Sequence, residues 1–294
     1  MDAGFPPDCA ARYAIGGAAR GCLEIPPFGP RFVANGNLVH NPATMNPPID
    51  ISEERGVRYL HFGSEWIQGA MRIARPWSLE LDYTREMMLA LLLRPQPHWP
   101  RSALMVGLGA ASLPKFLWRH RPRAKLTVVE IAPRVVAAAR HYFKLPDDPR
   151  LRIHVGDGAE YVAHARRRFD LILVDAFDAD ARAGYFNTEA FYRSCRARLT
   201  ADGLLVVNLL RRARSDRAGS TALRDAFDGR IAALPATEGG NTIVFASAGA
   251  PVRTAPGALA ELAARLKLDT GLDLAPTLQR AAARGKWPSV ALEF

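Results

Sequence analysis

"ALMVGLGAASLPKFLWRHRPRAKLTVVE", residues 103–130, decides the fold. Ala103–Val106 is a short, wholly apolar run bounded by turn signals, the pattern of a buried strand. It ends in Gly107-Leu108-Gly109, where two glycines permit a tight turn and a close approach of the main chain to a ligand. Ser112 suits an N-cap and Pro114 a first helical turn, which predicts a helix over 112–120. A second strand, 126–129, ends in a carboxylate, Glu130, 21 residues after Gly109. That offset is close to the ~20 residues at which an acidic side chain meets a ribose hydroxyl pair.

The unit repeats. Helices over 133–143, 158–167 and 187–199 alternate with strands over 151–155, 171–174 and 204–209. A helix over 220–233 and a strand over 242–247 follow. Five apolar strands alternating with helices imply parallel β-α-β units with right-handed crossovers, and a sheet covered on both faces. The predicted class is α/β, with residues 101–250 as a nucleoside-binding domain on a mostly parallel, Rossmann-like sheet. Residues 1–50 are rich in Pro, Gly and Asn and read as an irregular leader. Residues 51–100 read as a small β-rich region with a linking helix: short strands within 57–75, turns at Gly63 and Gly69, and a helix over 83–94. Residues 251–294 read as a helical extension containing a helix over 257–268.

Ligands of open α/β sheets bind beyond the carboxyl ends of the strands. Three successive strand ends carry a carboxylate: Glu130, Asp157 (before Gly158) and Asp175. Glu130 suits two vicinal hydroxyl donors, since an ionised carboxylate only accepts. Asp157 is placed to accept from an adenine amino group, although Asp-Gly alone is also a common turn. Asp178 and Asp180 follow Asp175 in the same acidic stretch.

This layout resembles that of class I methyltransferase-like domains, seven-stranded Rossmann-like folds that bind S-adenosylmethionine or a relative. "VGLGAAS" (106–112), "VVEIAPRVVAAARHYF" (128–143), "DPRLRIHVGDGAEYV" (148–162), "FDLILVDAFD" (169–178) and "YFNTEAFYRSCRARLTADGLLVVNL" (185–209) together resemble the spermidine synthase (polyamine aminopropyltransferase) family, over about residues 57–247. The resemblance implies aminopropyl transfer to a small-molecule amine. The donor would be S-adenosylmethionine or its decarboxylated form, with no permanent cofactor and no metal, in a homodimer. It implies that Glu130 holds the ribose and Asp157 the adenine amine, beside the turn of Gly107, Gly109 and Gly158, with Gln68 near the nucleoside. Asp175 would deprotonate or orient the attacking amine, and Asp178 would face the acceptor. Asp180 has no counterpart and reads as a solvated loop residue.

The chain departs from the family at three places. Ala110 stands where the family carries an aspartate. Thr84-Arg85 replaces a Tyr followed by His or Gln. "PATEGGNTIVF" (235–245) replaces a Pro-Thr-Tyr-type segment. Loss of the aspartate predicts tolerance of a donor carboxylate, and an arginine facing the acceptor channel would repel a cationic amine. Two other classes fit the same residues: an S-adenosylmethionine-dependent methyltransferase, and a catalytically silent nucleoside-binding protein.

Composition narrows the rest. The net charge is +10: the first hundred residues carry −1 and the remainder +11. Arginine outnumbers lysine and forms no stripe, so no nucleic-acid partner is expected. No apolar run approaches ~18 residues, so no membrane span is expected. The N-terminus lacks the pattern of a signal peptide. Cys9, Cys22 and Cys195 are scattered, which suits a reducing, cytoplasmic setting. The seven histidines show no metal-ligand spacing. "RRARSDR" (211–217) reads as a solvated loop, and Phe191, Tyr192, Trp66 and Trp77 as packing residues.

Overall fold

The computed structural model describes residues 47–176, 184–210, 215–249, 251–255, 257–284 and 292–294, with the backbone of residues 13–14. Asp178, Asp180 and most of the 1–50 leader lie outside the described residues. Strands β1 (Tyr13–Ala14), β2 (Asp50–Glu54), β3 (Val57–His61) and β4 (Ile67–Arg72) form an antiparallel sheet in chain order. Arg55 and Gly56, at φ 47 and 74, make the β2–β3 turn. Gly69 is not a turn residue but lies inside β4. Its lack of a side chain serves packing: a Cβ there would sit 2.6 Å from the Cβ of Ala110.

The helix expected over 83–94 is two helices, α1 (Asp82–Met87) and α2 (Ala90–Leu93). Between them Met88 N–H bonds Arg85 O at 3.1 Å and Leu89 N–H bonds Glu86 O at 3.0 Å, the tighter i→i−3 pattern.

Ten further elements build the central layer: β5 (Ser102–Val106), α3 (Ser112–His120), β6 (Lys125–Glu130), α4 (Pro133–Tyr142), β7 (Leu151–Val155), α5 (Gly158–His164), β8 (Phe169–Val174), α6 (Glu189–Ala197), β9 (Leu199–Leu210) and α7 (Ser215–Ala226). Two strands complete it, β10 (Ile231–Ala233) and β11 (Asn241–Ser247), giving a seven-stranded sheet ordered β10-β11-β9-β8-β5-β6-β7. The neighbours from β9 to β7 are parallel, and β11 runs antiparallel to both β9 and β10. The seventh strand falls inside the helix expected over 220–233. Asp228 and Gly229, at φ 53 and 78, end that helix and turn the chain into β10. Strands β12 (Arg253–Thr254) and β13 (Leu292–Glu293) pair with each other around helices α8 (Ala258–Thr270) and α9 (Ala275–Ala283).

The period of two along each strand assigns the two faces. Ala103, Met105, Leu171, Leu173, Leu204, Val206, Ile243 and Phe245 enter one core. Leu104, Val106, Ile172, Val174, Leu205, Val207, Val244 and Ala246 enter the other. From β5 the chain builds outward to β7 on one side and then returns to β8 on the other. The carboxyl ends of β5 and β8 therefore border the point where strand order reverses, the crevice in which such sheets bind ligands.

Candidate active site

The turn after β5 shows why glycine is required there. Gly107 has φ 97, and a Cβ on it would collide with the carbonyl oxygen of Asp175. Around it Gly107 N–H donates to Val129 O at 2.9 Å and Asp175 N–H to Val106 O at 3.0 Å. Main-chain bonds thus join the ends of β5, β6 and β8. Gly109, at φ 51, would bring a Cβ 3.2 Å from the carbonyl oxygen of Gln68, which sets Gln68 directly over the turn. Ser112 is not the N-cap of α3. Ala111 takes that position at φ 56, and Ser112 Oγ instead donates to Ala70 O at 3.0 Å, tying α3 to β4.

Gly158 begins α5, and a Cβ there would overlap Val106 Cγ1. Gly158→Ala is expected to cost ~1–3 kcal/mol by overpacking, read as a lowered urea midpoint. Gly156→Ala is the control, since nothing lies within 4 Å of its would-be Cβ. Equal midpoints for the two variants would remove the packing explanation.

The three strand-end carboxylates have distinct surroundings. Glu130 is 8% exposed. Its Oε2 accepts from Leu108 N–H and its Oε1 from Ala132 N–H, both at 2.9 Å. Burial raises its pKa, while main-chain donors from Ala132, Leu108 and Ile131 oppose the rise. Glu130 therefore braces the glycine turn through its main-chain donors. Asp157 is the N-cap of α5, its Oδ1 accepting from Ala159 N–H at 2.6 Å and Glu160 N–H at 3.3 Å.

Asp175 is the most chemically prepared of the three. Burial pushes its pKa up, and donors from Asn208 and Tyr83 offset only part of that. Asn208 Nδ2 donates to Asp175 Oδ1 at 2.9 Å, and Asn208 Oδ1 accepts from Asn241 Nδ2 at 3.0 Å. The Tyr83 phenol, raised well above its ordinary pKa by burial and by the Asp175 charge, remains a proton donor to it. The carboxylate is thus held directly from α1 and β9, and through Asn208 from β11. Tyr83, Asn208 and Asn241 were not expected from sequence. The available signal was Asn208, a single polar residue inside the apolar run "LLVVNLL" and only 3% exposed.

Residues 82–209 match the spermine/spermidine synthase domain. The polyamine aminopropyltransferase of Neisseria meningitidis is 35% identical over 228 residues, covering 77% of this chain and 86% of that enzyme. That of Chromobacterium violaceum is 36% identical over 235 residues, 80% of this chain and 89% of the enzyme. The chain belongs to the spermidine synthase family. A probable spermidine synthase from Corynebacterium glutamicum shares the fold, with a TM-score of 0.61 at 19% identity over 76% of this chain and 91% of its own.

Within the family's frame, the departures can be located. Arg85 does not confront the Asp175 carboxylate. Its guanidinium donates to Leu79 O and Glu80 O, both at 2.8 Å, and to Asp82 Oδ1 at 3.1 Å. The side chain is engaged by Leu79 and Glu80, just before α1, and by Asp82 at its start. Thr84 is buried and donates to Leu81 O at 2.6 Å. The tyrosine whose hydroxyl meets Asp175 is Tyr83, one residue before Thr84. Ala110 is 2% exposed and packs against Gly69 of β4.

The remaining aromatic candidates are packing residues or surface. Trp77 lies against Trp118 with ring centroids 5.6 Å apart, Phe191 and Tyr192 are fully buried, and Trp66 is exposed. A cavity of about 380 Å³ lined by Arg168, Arg193 and Arg196 lies near the start of β9, at the opposite end of the sheet. Glu189 and Asp228 already pair with Arg193 and Arg196 there. Among the described residues no helix is long and apolar enough to cross a membrane.

Proposed function

We propose that the protein transfers an aminopropyl group from decarboxylated S-adenosylmethionine to a small primary amine. The observation that carries this reading is Asp175: a half-buried carboxylate of raised pKa, oriented by Tyr83 and Asn208, at the rim it shares with Glu130 and the glycine turn. An alkylammonium cannot attack until it loses a proton, and a positioned base of raised pKa accepts one. The freed nitrogen lone pair attacks the propyl carbon bonded to the sulfonium. The C–S bond breaks, its electron pair stays on sulfur, and methylthioadenosine leaves as a neutral thioether. That departure needs no general acid. Glu130 takes the ribose hydroxyls, Asp157 the adenine amine, and the main chain of Gly107, Gly109 and Gly158 allows the nucleoside to approach beneath Gln68. Asp178 is assigned to the acceptor side. The similarity to polyamine aminopropyltransferases over most of the chain supports the same reaction.

Methylthioadenosine is expected to stabilise the fold, by ~2.7 kcal/mol at about 100 times its dissociation constant. Thermal unfolding indifferent to millimolar methylthioadenosine and to both sulfonium donors would sink the nucleoside assignment. A second reading, methyl transfer from S-adenosylmethionine, is favoured by one observation: Ala110 presents a methyl group where the family carries a carboxylate. Incubation with a short aliphatic diamine and each donor separates the two. Methylthioadenosine is the product of the first reaction and S-adenosylhomocysteine of the second.

A further inference from the structure

We propose that Arg280, on the C-terminal helix α9, is a positioning residue for Asp175, closing a circuit of contacts that fixes the acceptor side of the crevice. The inference rests on reading Asp175 as the base. Arg280 Nη1 donates to Pro235 O at 2.6 Å and to Ala236 O at 3.1 Å, and its Nη2 donates to Glu86 Oε1. One planar guanidinium thus grips two parts of the chain that lie about 150 positions apart in sequence, Glu86 and Pro235–Ala236, which a fork of fixed donors does better than an ammonium.

The first part is α1. Glu86 follows Tyr83 by three residues and so shares its side of the helix. Glu86 is 2% exposed, and its Oε2 has no hydrogen-bond partner among the described residues. Burial lifts its pKa to about 7 against the pull of Arg280, with Asp82 adding to the rise. Glu86 therefore depends on the guanidinium, since removing one partner of a buried pair leaves an uncompensated charge. What holds Glu86 holds α1, which packs on β9 and β11, and with it the Tyr83 hydroxyl.

The second part is the loop into β11. Beyond the gripped carbonyls the loop closes on itself: Thr237 N–H donates to Asn241 O at 2.8 Å, Gly240 N–H to Thr237 O at 3.0 Å, and Asn241 N–H to Thr237 Oγ1 at 3.1 Å. Its last residue, Asn241, holds Asn208, and Asn208 holds Asp175. The circuit therefore runs Asp175, Tyr83, Glu86, Arg280, Pro235–Ala236, Thr237, Asn241, Asn208 and back to Asp175, the steps from Tyr83 to Glu86 and from Ala236 to Thr237 passing along the main chain and the others through side-chain contacts. Helix α9 is itself seated by buried Leu274, Thr277 and Ala281. The circuit includes neither of the nucleoside-side carboxylates, Glu130 and Asp157.

The test compares full-length Arg280→Met and Arg280→Lys with wild type. Three measurements are made on each: methylthioadenosine affinity, acceptor KM and kcat with the decarboxylated donor and a diamine, and the titration of the Asp175 carboxylate by ¹³C NMR. Small misplacements at a reacting centre are costly, so Arg280→Met is expected to lower kcat/KM for the diamine about tenfold or more. The Asp175 titration should move, and nucleoside affinity should stay within about twofold. Arg280→Lys should fall between the two. Glu86→Gln combined with Arg280→Met should cost less than the product of the single effects, because both act on one circuit. A folded Arg280→Met protein with unchanged Asp175 titration and unchanged acceptor kinetics overturns the proposal. So does one that loses nucleoside and acceptor equally, the mark of a general structural role. If Arg280→Met fails to fold, Arg280→Lys is measured in the same three ways, and the same two outcomes overturn the proposal. Wild type without aminopropyl transfer would count against the proposed reaction alone, since the NMR titration needs no turnover and still decides the role of Arg280.

Discussion

Asp175→Asn is expected to lower kcat by about 10²–10⁴-fold, the usual contribution of a general base, with methylthioadenosine affinity little changed. The amide matches the carboxylate in shape but cannot take a proton from the ammonium of the acceptor. It also cannot accept from Tyr83 and Asn208 with both of its heavy atoms, so a stability cost of ~1–3 kcal/mol accompanies the change and is measured separately. The pH profile adds an independent readout. The base works only when ionised, and burial has raised its pKa above the ordinary carboxylate value. Wild-type kcat/KM should therefore fall as pH drops through that raised value, sooner than an exposed aspartate would dictate. In Asp175→Asn that acid limb should vanish. Undiminished turnover in the variant would reduce Asp175 to a strand-end residue.

Ala110→Asp is expected to change donor preference by about 10²–10³-fold. Two unit charges ~4 Å apart interact by about 4 kcal/mol at an effective dielectric of 20, an upper figure for a partly wet crevice. Specificity is a difference of two affinities, so lacking a repulsive element narrows it. Wild type should therefore bind S-adenosylmethionine at least as tightly as the decarboxylated donor, and Ala110→Asp should reverse the order. Position 110 packs against Gly69, so a larger side chain displaces β4 and weakens both donors. The ratio of the two dissociation constants cancels that loss and is the quantity to measure, by calorimetry. A wild-type protein that strongly prefers the decarboxylated donor would overturn the argument.

Most of the sheet was legible because its strands are short apolar runs ending in Gly or a carboxylate. The rim residues Gly107, Glu130, Asp157 and Asp175 could be numbered from those endings. β10 was not legible, because Ile231–Ala233 continues an apolar pattern in phase with the helix before it. Only the left-handed turn at Asp228-Gly229 separates them. The packing role of Gly69 was hidden for a related reason: glycine between strand-like segments suggests a turn, whereas its partner Ala110 is 41 positions away in the chain. The partners of Arg85 are not legible either: spacing gives its place on α1 but not its three acceptors, which all lie just upstream. Tyr83, Asn208 and Asn241 meet only through tertiary contacts, which no local pattern encodes.

The two sides of the crevice are drawn from the chain in different ways. Nearly everything assigned to the nucleoside, from Gly107 to Gly158, comes from one uninterrupted stretch of β-α-β repeats, with only Gln68 arriving from outside. The surroundings of Asp175 are collected from positions 83, 86, 208, 241 and 280, spanning most of the chain. The two sides are therefore unequally exposed to divergence. The nucleoside half can be altered only within about one repeat pair, where Gly107, Gly109 and Gly158 already abut a neighbour. The other half offers scattered footholds, including a terminal helix that an insertion, a deletion or a recombination event can replace while leaving the first half untouched.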